Sequence, residues 1–207
     1  MNNTLQDVVF KLESLFSKFN KRYFNNELVQ PIITVAPDTT KGAYGWCTSW
    51  KAWKDKSEDE SEGYYEINMC AEYLARPFLE ICCTLIHEMV HLLNLQNEVQ
   101  DTSRSGKYHN KRYKETAEHT GALLVEKDSK YGWCDTKLTD EAAAWIVSCC
   151  NDEKEFNIYR SKIPKIASAS KSSSRKYVCP ECGLIIRATK EVRIICAECD
   201  VELEPEL

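Results

Sequence analysis

One short motif in the sequence has the residue types and spacing that could bind a catalytic metal ion. His87, Glu88 and His91 form the pattern H-E-x-x-H. On a helix, positions i and i+4 lie on the same face, so both imidazoles could reach one zinc ion. Glu88 would lie about 100° further round, where a carboxylate can reach a water molecule beside the metal without being a ligand. The pattern indicates zinc chemistry, and the alternative is a chance match on an ordinary helix.

The residues around this motif predict a buried helix. Between Phe78 and Leu95 there is neither Gly nor Pro, and Pro77 suits a first helical turn. Apolar residues fall on nearly every side, which is typical of a core helix. Three ionisable groups in its middle need a physical reason, because burying an unpaired polar group costs about 1–3 kcal/mol.

A third metal ligand is expected beyond this helix. His109 follows a polar connection and lies 18 positions after His91, in the first turn of a helix predicted from Tyr108 to about Val125. A Glu ligand on the same helix is the competing possibility, with Glu115 and Glu118 as candidates. His119, further along, is interpreted as a surface or packing residue.

Length, composition and net charge limit the class of protein. A chain of 207 residues with 43% hydrophobic residues allows one ordinary domain with a small appendage. A net charge of −5 excludes a uniformly basic nucleic-acid binder, so any such contact must be local. No apolar run approaches 18 residues, and Met1 to Asp7 are polar. We therefore expect no signal peptide, no membrane partner and a cytoplasmic location.

The eleven cysteines do not predict a disulfide framework, because the number is odd and no secretion signal is evident. Most of the seven outside the C-terminal motif described below are interpreted as buried free thiols. Cys83 is different, since it precedes His87 by four positions and could pack beneath the metal or compete as a ligand.

Further elements are predicted from periodicity and turn residues. An amphipathic helix is predicted over residues 4–24, and Thr139 should cap a helix from Asp140 to about Cys150. A small antiparallel sheet should precede the H-E-x-x-H helix, and its edge could hold an extended peptide. Its three predicted strands cover residues 32–36, 43–53 and 64–69.

The C-terminal segment contains a strong metal-binding pattern. Its two C-x2-C pairs predict a closed tetrahedral zinc site in a ribbon over residues 177–207, with a hairpin between 184–188 and 192–195. A module this small needs such a site to fold. The four ligands are Cys179, Cys182, Cys196 and Cys199.

A Ser- and Lys-rich stretch over residues 156–176 predicts a basic linker between this ribbon and a first domain over residues 1–155. It is interpreted as a solvated tether or as a strip that contacts phosphates. The ribbon itself is acidic overall, although its basic residues fall near the hairpin. The candidate nucleic-acid contacts are Lys171, Arg175, Lys176, Arg187, Lys190 and Arg193.

In combination these features resemble the SprT-like family. The resemblance is carried by H-E-x-x-H, by His109 with Tyr113 four positions later, by the stretch around Gly45 and Trp46, and by the C-terminal ribbon. It implies a zincin-like core over about residues 5–150 and zinc-dependent proteolysis. The implied ligands are His87, His91 and His109, with Glu88 as acid/base. Spartan-type members are DNA-activated proteases that act on proteins crosslinked to DNA.

The resulting prediction is an α+β protein: a zincin-like metallopeptidase domain followed by a zinc ribbon. It should bind one catalytic and one structural zinc ion and act as a monomer on protein substrates, with single-stranded or damaged DNA as a partner. Glu88 would take a proton from water and pass it to the leaving amine, with Tyr108 as a candidate oxyanion donor. The alternative is a non-enzymatic nucleic-acid-associated protein with two structural zinc sites.

Overall fold

The computed structural model describes residues 4–39, 42–56, 63–151, 153, 156–161 and 174–206. The chain divides into two compact units, Met1–Lys162 and Ile163–Leu207. Together they form a mixed α+β structure with small sheets.

Among its described residues the first unit contains four α-helices, and three of them begin at a side-chain cap. The side chain of Thr4 accepts a hydrogen bond from the backbone amide of Asp7, and the Asp7 carboxylate accepts one from the Thr4 amide at 2.8 Å. Thr139 caps the last helix as predicted, through the amide of Ala142. The helices are α1 (Leu5–Tyr23), α2 (Phe78–Gln96), α3 (Lys111–His119) and α4 (Asp140–Cys149).

The first sheet consists of β1 (Ile32–Ala36), β2 (Gly45–Cys47) and β3 (Glu66–Cys70) in the order β1-β3-β2. Strands β2 and β3 are antiparallel, but β1 and β3 are parallel, so the prediction of a purely antiparallel sheet was wrong. The chain reverses direction twice between β1 and β3, and β3 then inserts between its two predecessors. Strand periodicity does not reveal this order of neighbours.

Strand β2 is shorter than the predicted strand over residues 43–53. The ladder ends at Thr48, whose hydroxyl donates to the carbonyl of Trp50 at 2.8 Å and turns the chain away. The chain pairs again with the segment that leads into β3 at the isolated bridge between Trp53 and Tyr64.

A second sheet was not predicted. It has the order β4-β5-β7-β6. The strands are β4 (Thr102–Ser103), β5 (Tyr108–His109), β6 (Leu123–Asp128) and β7 (Gly132–Leu138).

This sheet corrects the helix predicted from Tyr108 to Val125. The side chain of Asn110 accepts hydrogen bonds from the amides of the first helical turn, so α3 begins only at Lys111. It ends near Gly121, which has a φ of +72°. Leu124, which falls within the predicted helix, lies instead on β6 and is 54% exposed.

The core of the first unit is built around α2, which is buried on most of its sides. The apolar stripe of α1 packs in the same core, where its largest side chains are almost completely buried. Each such side chain contributes about 1.5–3 kcal/mol to folding. These α1 residues are Leu12, Leu15, Phe16 and Phe19.

Helix α2 is also long and apolar enough to cross a membrane, as judged by length and composition within the described residues. A buried core helix passes the same test, and more than half of this helix is buried inside the unit.

The second unit has two small sheets, β12-β8-β9 and β10-β11. The hairpin predicted between residues 184–188 and 192–195 was wrong, because β9 pairs with β8 and β10 pairs with β11. Each Cys pair forms the turn between two strands, and these turns set the pairing. The strands are β8 (Arg175–Val178), β9 (Ile185–Ala188), β10 (Ile195–Cys196), β11 (Val201–Glu202) and β12 (Glu204–Glu206).

Candidate active site

Three imidazole rings converge in the first unit. His87 and His91 lie one turn apart on α2, and His109 comes from β5. The Nε2 atom of His109 lies 3.1 Å from Nε2 of His87 and 3.0 Å from Nε2 of His91. The structure therefore brings together the three residues that the sequence proposed as ligands of one metal ion.

This arrangement fits a zinc ion. The three ligand atoms all lie within 4.8 Å of one another. Ligand nitrogens about 2.0–2.1 Å from zinc are about 3.3 Å apart in a tetrahedral site, close to the separations of His109 from its two neighbours. Three protein ligands leave a fourth position open, which is the arrangement of catalytic rather than structural zinc sites.

His91 is held by a buried carboxylate that the sequence did not suggest. Its Nδ1 atom lies 2.7 Å from Oδ2 of Asp101, which also accepts a hydrogen bond from the Asn94 side chain at 2.9 Å. A carboxylate can only accept here, so Nδ1 of His91 carries the proton and Nε2 is free to bind a metal. Burial opposes the ionised forms, but the Asp101 hydrogen bond raises the pKa of His91 and lowers that of Asp101.

The Asp101 contact is part of a longer chain of hydrogen bonds. Thr116 on α3 donates to the side-chain oxygen of Asn94 at 2.8 Å. The backbone amide of Asn110 donates to the carbonyl of Asp101 at 2.9 Å. These contacts tie α2, α3 and the backbone directly after His109 to Asp101.

His87 is oriented by β7. Its Nδ1 atom lies 3.2 Å from the hydroxyl of Thr136. Cys83, one turn earlier on α2, donates through its Sγ to the carbonyl of Thr136 at 3.5 Å. Cys83 therefore packs beside the residue that contacts His87 and is not one of the grouped ligand atoms.

His109 is positioned by backbone contacts. Its amide donates to the carbonyl of Tyr131 at 2.9 Å, and the residue pairs with Gly132 across β5 and β7. Gly132 has a φ of +77°, and a Cβ atom there would collide with the His109 carbonyl and lie 2.9 Å from the Tyr108 ring. Only glycine fits this close approach. Tyr108, the candidate oxyanion donor, packs against Gly132. The guanidinium carbon of Arg104 lies over the Tyr108 ring, 4.9 Å from the centroid of that ring.

The ring of Tyr113 supports all three imidazoles from beneath. Its centroid lies 4.7–4.8 Å from those of His87, His91 and His109, and the side chain is completely buried. Burial lowers the pKa of His87 well below its usual range and that of His109 to about 4. Both rings are therefore neutral near pH 7, as metal binding requires.

Glu88 lies beside this group but outside it. Its side chain faces β2, where a Cβ atom on Gly45 would lie 3.4 Å from Cγ of Glu88. Burial raises the pKa of Glu88 to about 7, against the opposing effect of His91. The carboxylate is not one of the three grouped ligand atoms, so it is available for proton transfer.

The competing ligands lie on the exposed side of α3. Glu115 and Glu118 form ion pairs with Lys111 and Lys114, at 3.2 and 3.6 Å. His119 is exposed at the end of the same helix. The structure therefore leaves these three residues outside the three-histidine site.

The second unit contains the predicted cluster of four cysteines, whose Sγ atoms all lie within 4.8 Å of one another. The Sγ atoms of Cys182 and Cys196 are 3.7 Å apart, close to the roughly 3.8 Å expected around zinc with Zn–S bonds of about 2.3 Å. Backbone hydrogen bonds from Cys182 and Glu181 lower the pKa of Cys179 to about 7, which favours the thiolate that zinc binds. The arrangement is that of a closed structural site.

Comparison with known proteins decides the assignment of the first unit. A model of the SprT-like family matches residues 12–132, which is more than half of the chain. The chain belongs to the SprT-like family. The matched range contains Glu88 and the three histidines of the candidate metal site, and it indicates a metallopeptidase-type domain. Searches of curated proteins and of solved structures find no match.

The four-cysteine unit lies outside the range matched by the SprT-like family. Two of its candidate nucleic-acid contacts have carboxylate partners. Lys176 forms an ion pair with Glu206, and Arg193 forms two hydrogen bonds to Glu202 at 2.9 and 3.0 Å. Their charges are therefore partly compensated.

The other basic candidates differ in their surroundings. Arg175 and Arg187 are exposed on β8 and β9, and Lys190 is exposed after β9. Lys171 lies outside the described residues.

Asp101 is the main residue of the SprT-like site that the sequence analysis missed. It lies in a polar loop among other charged residues, and periodicity does not distinguish it. One signal was present: metal-bound histidines almost always donate their second N–H to a carboxylate, a carbonyl or water. A search for a carboxylate between His91 and His109 would have found Glu98 and Asp101.

Replacing Asp101 by Asn should weaken zinc binding at the three-histidine site about 10–100-fold, because His91 loses its charged partner. Zinc affinity should be measured by chelator competition on the full chain, with the second zinc ion as an internal reference. Asp140→Asn, an exposed carboxylate in the first turn of α4, is the control. Equal affinity of the Asp101 variant and the wild type would contradict the role assigned to Asp101.

Proposed function

We propose that this chain is a zinc-dependent metallopeptidase with a zincin-like core. The observation that carries the proposal is the arrangement of three imidazole nitrogens with Glu88 beside them but outside the ligand set. A zinc ion bound there supplies Lewis acidity, which polarises a carbonyl and lowers the pKa of water to roughly 7. A purely structural site has no need of an open position with an adjacent free carboxylate.

The residues of the chain have separate roles in this proposal. Glu88 accepts a proton from the attacking water on its carboxylate and delivers it to the leaving amine. Asp101 fixes the tautomer of His91, and Tyr113 keeps the three rings in place from below. Thr136 orients His87. Because Asp101, Tyr113 and Thr136 already hold the imidazoles in the protein, the three metal ligands are preorganised.

Strand β2 is the proposed site for the substrate backbone. It lies at the edge of the sheet order β1-β3-β2, and a Cβ atom on its residue Gly45 would approach Thr84 and Glu88 of α2. An extended peptide that adds to this edge as a further strand would pass directly beside Glu88. Antiparallel addition is preferred, because antiparallel pairs are slightly more stable per residue. This geometry supports cleavage within an extended or unfolded segment.

We further propose that the substrates include proteins bound or crosslinked to DNA, with the C-terminal unit as the DNA-contacting part. The support is the exposure of Arg175, Arg187 and Lys190 in that unit. In this proposal the protein acts in the cytoplasm as a monomer, with single-stranded or damaged DNA as its partner.

The test uses the full chain with zinc at both sites and two substrates: a free unfolded protein and the same protein crosslinked to single-stranded DNA. We expect cleavage of both, faster cleavage of the crosslinked substrate, and loss of both activities after zinc is removed by chelation. Readdition of zinc should restore cleavage. Equal rates on both substrates would remove the DNA part of the proposal, and an inactive protein containing two zinc ions would contradict the peptidase.

A further inference from the structure

A half-buried guanidinium lies close to the proposed cleft and has no role in the chemistry described so far. Arg76 precedes α2, and its guanidinium carbon is 4.0 Å from the centroid of the Tyr44 ring. One of its Nη atoms donates to the hydroxyl of Thr84 at 2.9 Å, and Nε donates to the carbonyl of Tyr73 at 3.1 Å. The group is thereby held rigidly between a strand end and a helix.

The charge of Arg76 is poorly compensated. Among the described residues one carboxylate lies within 4.0 Å, that of Glu80 at 3.8 Å, which is too long for a hydrogen bond. The Glu80 side chain is 57% exposed and that of Arg76 only 16%. A guanidinium has five N–H donors, and the contacts above use two of them. The remaining donors are suited to bind a carboxylate in the bidentate manner.

The position of Arg76 relates it to Glu88. A Cβ atom on Gly45 would lie 3.3 Å from Cγ2 of Thr84 and 3.4 Å from Cγ of Glu88, so both side chains face the same strand. Thr84 is one helical turn before Glu88, and side chains at that spacing are about 5–6 Å apart. Tyr44, beneath the guanidinium, precedes the first residue of β2. Arg76 therefore lies at the N-terminal end of β2, about one turn of α2 from Glu88.

We propose that Arg76 forms a carboxylate-binding subsite of the cleft. A peptide antiparallel to β2 places the residues that follow the scissile bond toward the N-terminal end of β2. With about 3.4 Å per residue, the first or second of these residues reaches Arg76. The subsite thus selects an acidic side chain, Asp or Glu, at one of these positions. This inference rests on the proposed function, because it assumes that a peptide lies along β2.

The test measures binding and needs no turnover. Four amidated inhibitors carry a hydroxamate in place of the scissile amide, followed by two residues. The two compounds of one pair carry Glu or Gln at the first of these residues, and the two compounds of the other pair carry Glu or Gln at the second. The dissociation constants are measured with the zinc-loaded full chain. In one of the two pairs, we expect the Glu compound to bind about 10-fold more tightly than its Gln partner, a factor typical of a charged hydrogen bond.

Three variants assign the effect to Arg76. Arg76→Gln should bind the two compounds of the pair within roughly 2-fold, and Arg76→Lys should keep only part of the preference, because a lysine cannot bind bidentately. Arg104→Gln is the matched control, since Arg104 also stacks on a tyrosine ring but lies beside Tyr108. It should keep the full preference. Thermal unfolding of each variant shows that the fold is retained.

The outcomes separate this inference from the proposed function. Equal binding of Glu and Gln compounds to the wild type, a preference that survives Arg76→Gln, or no binding of any compound would overturn the subsite. A preference that depends on Arg76 in a protein that cleaves nothing would support the subsite while contradicting the peptidase.

Discussion

Replacing Glu88 by Gln is expected to lower the rate of peptide cleavage by about 10²–10⁴-fold, the usual contribution of a general acid/base. The amide has nearly the same shape as the carboxylate but cannot take a proton from water. Zinc should remain bound at both sites, because Glu88 is not a ligand. The fold should also be kept, since burial already disfavours the charged form of Glu88. Cleavage rate and zinc content are measured on the same samples.

The control for this substitution is Glu115→Gln. Glu115 was a competing ligand in the sequence analysis, but it lies exposed on α3 in an ion pair with Lys111. This variant should retain full activity and both zinc ions. Loss of zinc from the Glu88 variant would mean that Glu88 is a ligand, and unchanged cleavage would remove it from the chemistry.

Replacing Cys179 by Ser is expected to unfold the second unit and to release one zinc ion. The hydrophobic cluster of this unit contains only a few buried residues, among them Tyr177 and Leu203. Such a small core cannot fold on its own, whereas a structural zinc ion contributes about 10–16 kcal/mol. Amide hydrogen exchange should therefore become fast over residues 174–206 and stay slow in the core helices α1 and α2.

Cys149→Ser is the matched control for the ribbon. Cys149 is an exposed free thiol at the end of α4 and lies outside the four-cysteine group. This variant should keep both zinc ions and the exchange pattern of the wild type. Protection of residues 174–206 in the Cys179 variant would show that the unit folds without its metal.

The sequence predicted best those features that depend on local periodicity or on fixed spacing. The stripe of α1, the apolar surface of α2 and the Thr139 cap are local signals, and the corresponding helices are confirmed. The H-E-x-x-H spacing places two imidazoles on one helical face whatever the rest of the chain does. The C-x2-C pairs similarly bring their thiols close together within each turn.

Several features that depend on long-range contacts were missed or wrong. His109 was expected in a helix, but it lies on β5, because pairing with Gly132 and the cap at Asn110 fix its backbone. The parallel pairing of β1 with β3 depends on how the chain returns, which strand periodicity does not specify. Asp101 is distinguished from Glu98 only by its contact with His91, a residue ten positions away.

Anomalous X-ray diffraction at the zinc edge, in crystals of the zinc-loaded full chain, locates the metals directly. We expect two zinc ions per chain. One should be bound by Nε2 of His87, His91 and His109, with Glu88 near but outside the ligand set, and the other by the four cysteines. Zinc bound directly by Glu88, or a first unit without zinc, would contradict an open catalytic site with a free carboxylate beside it.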